Sequence, residues 1–200
     1  MFYASQLIED AVNEVASLPG IGKKSALRLV LFLLKAKPAQ TERLATALQQ
    51  LRTQIRYCER CHNVADANLC TICTNPRRDT SLICVVENMQ DIIAIENTAQ
   101  YKGLYHLLGG VISPVEGIGP EQIHVDSLIA RVKAEKPQEL IFALRATIEG
   151  DTTVFYITKK IQADAIKITS IARGVAVGGE LEYTDEMTLG RSIQARIAYH

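Results

Sequence analysis

Ser81-Leu82-Ile83-Cys84-Val85-Val86-Glu87 is the stretch on which the fold turns. It is a short β-branched run that stops at a carboxylate, and it reads as a strand. Leu140-Ile141-Phe142-Ala143-Leu144 repeats the pattern, with Glu149 a few residues beyond it. Ala165-Ile166-Lys167-Ile168-Thr169-Ser170-Ile171 is a third such run, and Gly103-Leu104-Tyr105-His106-Leu107-Leu108 a weaker fourth. Helical periodicity fills the intervals, from Met89 to about Ala99, from about Ile123 to Lys133 and from about Thr152 to Ile161. Strands alternating with helices predict an α/β fold with a mostly parallel sheet and helices on both faces. In such sheets the polar residues at the carboxyl ends of the strands build the site, and Glu87 and Glu149 are expected there.

Upstream of this sheet, residues 57–78 change character. They hold four cysteines, Asn63, Asn68, Asn75 and Pro76, and little that is apolar. Such a segment cannot fold on its own apolar burial. The spacing Cys58-x2-Cys61-x8-Cys70-x2-Cys73 supplies another source of order. Two Cys-x2-Cys turns offer four thiolates to one Zn²⁺, which takes sulfur ligands tetrahedrally at about 2.3 Å. Four protein ligands leave no open position, so the ion is structural and not catalytic. Disulfides or a redox pair are the competing readings. A reducing compartment disfavours the first, and the matched pair of turns disfavours the second. His62 adjoins the site, but four cysteines already complete it. Cys84, within the first strand, is expected to pack as a small apolar residue.

The first 56 residues read as helices. Ile8, Ala11, Val12 and Val15 mark one apolar face, then Leu27, Val30, Leu31 and Leu34, then Leu44, Leu48, Leu51 and Ile55, and all three stripes are expected to be core. Pro38 ends the second helix. Between the first two lies Leu18-Pro19-Gly20-Ile21-Gly22-Lys23-Lys24-Ser25. Gly20 and Gly22 let the main chain bend and approach a ligand closely. The next helix begins there and turns its free N–H groups and positive dipole end toward the same place, while Lys23, Lys24 and Arg28 add full charges. This is a sequence-independent grip on nucleic-acid phosphate. A P-loop is excluded, because Gly22-Lys23 is followed by Lys24 and position 17 is Ser. A plain helix connection without a ligand is the simpler alternative.

The 200-residue chain is 48% hydrophobic and 22% charged, with zero formal net charge. That neutrality hides an asymmetry: residues 1–78 hold 11 Lys/Arg against 6 Asp/Glu, and residues 79–200 hold 11 against 16. A basic front and an acidic back suit a protein that meets phosphate with its front alone, although chance could produce the same split. No apolar stretch is long enough to span a bilayer. The N-terminus has neither a basic n-region nor an apolar h-region, so a cytoplasmic protein with no membrane partner is expected.

Taken together, these parts resemble known families. Leu18 to Ser25 looks like a helix-hairpin-helix motif. Glu87 with Glu149-Gly150-Asp151 resembles the Toprim domain of topoisomerases, primases and some nucleases, whose second acidic motif is Asp-x-Asp; here it is Glu-x-Asp, one methylene longer. Three carboxylates at strand ends suit Mg²⁺, although they could equally be solvated or contact a protein. In the order hairpin, four-cysteine module, Ile83 to Glu87, Tyr105 to Pro114, Gly117 to Pro120, Glu149 to Asp151 and Gly174 to Asp185, nearly the whole chain is similar to the RecR recombination-mediator family. The resemblance implies segments at 1–56 (helix-hairpin-helix), 57–78 (four-cysteine zinc module), 79–172 (Toprim) and 173–200 (a Walker-B-like tail in subunit contacts). It implies a homotetrameric ring in the cytoplasm, associated with the nucleoid. Such a ring binds single- or double-stranded DNA with Gly20, Gly22, Lys23, Lys24 and Arg28, and with RecO and RecF helps load RecA on SSB-coated gaps. Cys58, Cys61, Cys70 and Cys73 would hold zinc, and the surface around Glu149 would meet RecO. The family often has Asn-Pro after the strand that precedes the second acidic motif. This chain has Leu144-Arg145-Ala146-Thr147-Ile148, which sets a basic residue beside the acidic cluster.

Three function classes follow: a non-enzymatic DNA clamp and mediator, a Mg²⁺-dependent Toprim nuclease or primase-like enzyme, and a zinc scaffold without DNA contact. The first is the expectation. There is no partner domain for strand passage, no Walker A loop for ATP hydrolysis, and the acidic motif departs from the catalytic pattern.

Overall fold

In the computed structural model, residues 5–161 and 166–198 are described. The chain divides at Ile55/Arg56 into two compact units.

The first unit is three helices: α1 (Gln6–Ala16), α2 (Lys23–Lys35) and α3 (Pro38–Gln54). Val12, Ala26 and Val30 are buried where α1 meets α2, with Ile8, Ala11, Val15, Ile21 and Leu27 around them. Pro38 has two effects: it follows the end of α2, and it then occupies the first turn of α3, where its missing N–H costs nothing. The expectation that all three stripes are core is corrected here. α3 has no buried residue, and Leu44, Leu48 and Leu51 are 47%, 58% and 60% exposed. On α2, Leu31 and Leu34 are exposed as well. Helical spacing shows that one face is apolar, not that the same chain covers it. With α1 and α2 engaged on each other, no described residue of this unit buries the α3 stripe.

The second unit opens with a two-stranded antiparallel ribbon, β1 (Arg56–Tyr57) and β2 (Val64–Ala65), around the cysteines. Four strands then form one parallel sheet: β3 (Asp79–Val86), β4 (Gly103–Leu107), β5 (Glu139–Ala143) and β6 (Lys167–Ser170), in the order β4-β3-β5-β6. The connecting helices are α4 (Met89–Asn97), α5 (Val125–Glu135) and α6 (Ile148–Ile161), and α7 (Glu186–Gln194) closes the chain. Residue 165, placed in the third strand run from the sequence, lies outside the described residues.

Central strand β3 is buried on both faces by its two-residue period. Ile83 and Val85 join Leu140 and Phe142 against Leu128 and Val132 of α5 and Ile157 of α6. Cys84 and Val86 point the other way, to Tyr105 and to Ile92 of α4. Cys84 is thus a small apolar residue in the second layer, and burial pushes its thiol up to about 12. Two helix ends also need correction. α4 stops at Asn97, and α6 starts at Ile148, not near Thr152. The α6 start has a local cause: the Thr147 hydroxyl accepts from Gly150 N at 3.2 Å, and the Thr147 carbonyl accepts from Asp151 N at 2.9 Å. Glu149 and Asp151 therefore occupy a first helical turn, where acidic side chains are favoured by the helix dipole.

Candidate nucleic-acid interface and metal centre

The hairpin between α1 and α2 is a tight turn in which Ile21 N donates to Leu18 O at 3.1 Å. Pro19 and Gly20 are its central residues, and Gly20 has φ +80°, a conformation that glycine adopts without strain. Gly22 caps α2 with no side-chain acceptor, and no acidic residue lies in the first turn. An added Cβ at either Gly20 or Gly22 would meet nothing within 4 Å, so this backbone faces open space. The helix start therefore presents free N–H groups.

The three basic residues expected here divide by geometry. Lys23 Nζ donates to Asn13 Oδ1 of α1 at 3.0 Å and braces the hairpin. Lys24 and Arg28 are exposed, four residues apart on one face of α2, and form no ion pair among the described residues. Lys35, which was not singled out in the sequence, extends the same face and is exposed with them; its spacing of seven from Arg28 was the available signal.

In the second unit Cys58, Cys61, Cys70 and Cys73 come together, their sulfurs all within 4.8 Å of one another. Cys61 Sγ and Cys70 Sγ are 3.5 Å apart. Four sulfurs about 2.3 Å from a tetrahedral ion stand about 3.8 Å apart, so the set fits zinc. Its chemistry fits too. Thiol hydrogen bonds from Cys70 and Cys73, with burial, push Cys61 far up; Cys73, lowered by Cys61 but raised more by Cys70 and burial together, goes up to about 12; and thiol donors from Cys61 and Cys73 hold Cys70 far down. Four thiols this close cannot all ionise without a divalent cation among them.

The module is pinned to the sheet. Leu107 N donates to Cys61 O at 2.9 Å. Arg60 binds both carboxylate oxygens of Glu135, at 2.9 and 3.0 Å, and buried Arg131 donates to Tyr105 O at 2.7 Å and to Glu135 at 3.2 Å. His62 is not a fifth ligand. Its Nε2 lies 2.9 Å from Ser127 Oγ, and its ring stacks on His124 at 3.8 Å. His106 sits edge-on to it, and burial, partly offset by the His124 carbonyl, lowers it to about 3, so its ring is neutral. Sequence reasoning missed this arginine and histidine packing, because the partners lie 18 to 75 residues apart in the chain.

The acidic residues behave differently. Glu87, at the carboxyl end of β3, is buried to 8% exposure, and both its oxygens accept from Arg145, from Nε at 2.8 Å and Nη2 at 2.6 Å. Asp151 is engaged by Arg173 at 2.7 Å, which holds its carboxyl below the usual range. Glu149 is half-buried, and backbone N–H and the Thr147 hydroxyl lower its carboxyl. Among the described residues the four cysteines are the one set gathered closely enough to share an ion; Glu87, Glu149 and Asp151 are not gathered.

Each part has a counterpart among known families. Residues 8–52 match the RecR helix-hairpin-helix, 55–75 the RecR four-cysteine zinc finger domain, 81–172 the Toprim domain and 174–197 the RecR C-terminal region. The recombination protein RecR of Amoebophilus asiaticus is 70% identical over 200 residues, the full length of both chains. The chain belongs to the RecR family. RecR proteins of Flavobacterium johnsoniae and Cytophaga hutchinsonii are 56% and 55% identical, over 100% of this chain and 97% and 98% of theirs. The zinc expected from cysteine spacing thus rests on two independent grounds, the sulfur geometry and the family's four-cysteine zinc finger domain. No helix among the described residues is long and apolar enough to cross a membrane.

Proposed function

We propose that this chain is a DNA-binding recombination mediator in DNA repair. In this reading it works as a homotetrameric ring or clamp, partners RecO and RecF, helps load RecA on SSB-coated gapped DNA, and catalyses no reaction itself. The observation that carries the reading is the hairpin, where an open, glycine-capped helix start without acidic residues in its first turn stands beside two exposed cations, Lys24 and Arg28, that form no ion pair among the described residues. Gly20 and Gly22 admit the phosphate backbone, Lys24 and Arg28 supply charge, and Lys23 holds the hairpin in shape. Such contacts position DNA without reading its sequence.

The other parts take supporting roles. Residues 57–78, with Cys58, Cys61, Cys70 and Cys73 on zinc, stiffen the start of the second unit. The Toprim segment 79–172 turns the surface around Glu149 and Asp151 toward RecO. Residues 173–200 join subunits, and the exposed Leu181, Tyr183, Met187 and Ile193 supply apolar surface for that contact, as the α3 stripe does in residues 1–56. Several weak phosphate grips in one ring reach useful affinity through effective concentration, which offsets the chain's overall neutrality.

The test is RecA filament formation on SSB-coated gapped DNA in the presence of RecO, with and without the pure protein. Acceleration that disappears with Lys24→Glu/Arg28→Glu supports the mediator. Nicked or extended DNA in the same tubes with Mg²⁺ would replace it with the Toprim enzyme reading. A monomeric mass by light scattering, with and without DNA, would remove the ring.

A further inference from the structure

The Toprim fold implies a divalent cation on carboxylates at strand ends, and in this chain the residues do not fit one. Mg²⁺ takes oxygen ligands at about 2.0–2.1 Å around one centre, so its carboxylates must converge. Here Glu87, Glu149 and Asp151 do not converge. Glu87 is nearly buried, with both oxygens committed to the Arg145 guanidinium in a two-pronged pair. Asp151 is committed to Arg173. A carboxylate withdrawn from water needs a compensating positive charge close by, and on Glu87 that charge is an arginine.

The backbone holds Arg145 in this position. Its carbonyl accepts from Thr147 N at 2.9 Å. A Cβ on Gly150 would stand 2.1 Å from that same carbonyl, so the turn from Arg145 into α6 closes onto a residue without a side chain. The Arg145 side chain is two-thirds exposed, so it can be replaced without opening the core.

We infer that Arg145 is the resident cation of this Toprim face: its guanidinium takes the Glu87 oxygens that a divalent ion would need, and the face works without metal. The ion pair is internal, permanent and independent of divalent concentration. Whatever binds here meets a fixed arrangement of charge, with the Arg145 guanidinium on its outer side.

The experiment uses the full-length, zinc-loaded protein with no DNA and no partner, so its outcome is separable from that of the mediator reading. Mn²⁺ is the probe, and the loss of the free-ion electron paramagnetic resonance signal reports binding. The wild-type chain takes up no Mn²⁺ that depends on Glu87. Arg145→Gln gains Glu87-dependent Mn²⁺ uptake, on the order of tenfold or more above the wild-type level at the same Mn²⁺ concentration, the consequence of removing a full positive charge a few ångströms from the ion. Arg145→Lys keeps the charge and gains nothing, and Arg145→Gln/Glu87→Gln loses the gain. Circular dichroism melts establish that each variant is folded. Wild-type Mn²⁺ binding that Glu87→Gln abolishes would overturn the inference, and so would an Arg145→Gln variant that binds no better than wild type.

Discussion

Removing zinc should unfold one module and leave the sheet beside it standing. Ordering the roughly twenty residues from Tyr57 to Pro76 costs on the order of 20 kcal/mol in backbone entropy. Against this the module buries Ala65 fully and Ile72 in part, besides its cysteines, which is worth about 2–4 kcal/mol. Its backbone hydrogen bonds, such as Cys58 N to Asn63 O at 2.7 Å and Glu59 N to Asn68 O at 2.9 Å, contribute about 1 kcal/mol each. The shortfall is on the order of 10 kcal/mol, the size of the free energy with which zinc folds small Cys-rich modules. The sheet's main layer, with Ile83, Val85, Leu128, Leu140 and Phe142, takes no apolar contact from the module, which is tied to it by hydrogen bonds and ion pairs at α5. A chelator, or Cys73→Ser, should therefore abolish hydrogen-exchange protection over 57–75 and at the Leu107 amide that donates to Cys61, while β3 and β5 stay protected. Protection of 57–75 that persists without metal would refute the reasoning, and so would collapse of β3 and β5 at the same chelator concentration.

Two further outcomes follow from the geometry. Gly150→Ala places a methyl against the Arg145 carbonyl, 2.1 Å away, and should destabilise the second unit by about 1–3 kcal/mol in chemical denaturation, whereas Gly22→Ala, with nothing within 4 Å, should cost well under that. Bonding to Arg78, opposed by desolvation and aided by the Tyr105 hydroxyl, holds the Glu96 carboxyl below its ordinary value, so its stabilisation is complete above the carboxylate range and is lost as pH falls through the lowered value. Glu96→Gln should consequently melt about 2–4 °C lower than wild type at neutral pH, with the difference shrinking as pH falls below the ordinary carboxylate range and through the lowered value; a difference that stays unchanged on acidification would contradict the sign.

What could be read from the chain alone was what local chemistry decides. The run from Leu82 to Val86 admits little besides a strand, and two Cys-x2-Cys turns point to one ion whatever surrounds them. Leu18 to Ser25 carries its turn in Pro19 and Gly20 and its helix start in Gly22. The remainder depended on residues distant in sequence. That Lys23 is tied to Asn13 while Lys24 is free depends on how α1 crosses α2. The Arg145 side chain stood out as a departure from the family pattern, but its grip on Glu87 requires β3 and β5 to be neighbours. The start of α6 was misplaced because Thr147 caps the helix four residues earlier than apolar periodicity suggests. The α3 stripe was correctly read as apolar and wrongly as covered, since periodicity carries no information about how many chains share a core.

The central claim is that the glycine-capped start of α2, with Lys24 and Arg28, grips DNA phosphate. Fluorescence anisotropy of a labelled oligonucleotide, titrated with protein across a salt series, tests it most directly. Wild type should show a steep loss of affinity with salt, and Lys24→Glu/Arg28→Glu should both weaken binding and flatten the logarithmic slope by about 0.7–0.9 for every phosphate contact removed, with Lys23→Ala affecting the slope less. A double variant with the same affinity and the same salt slope as wild type would place the DNA surface elsewhere.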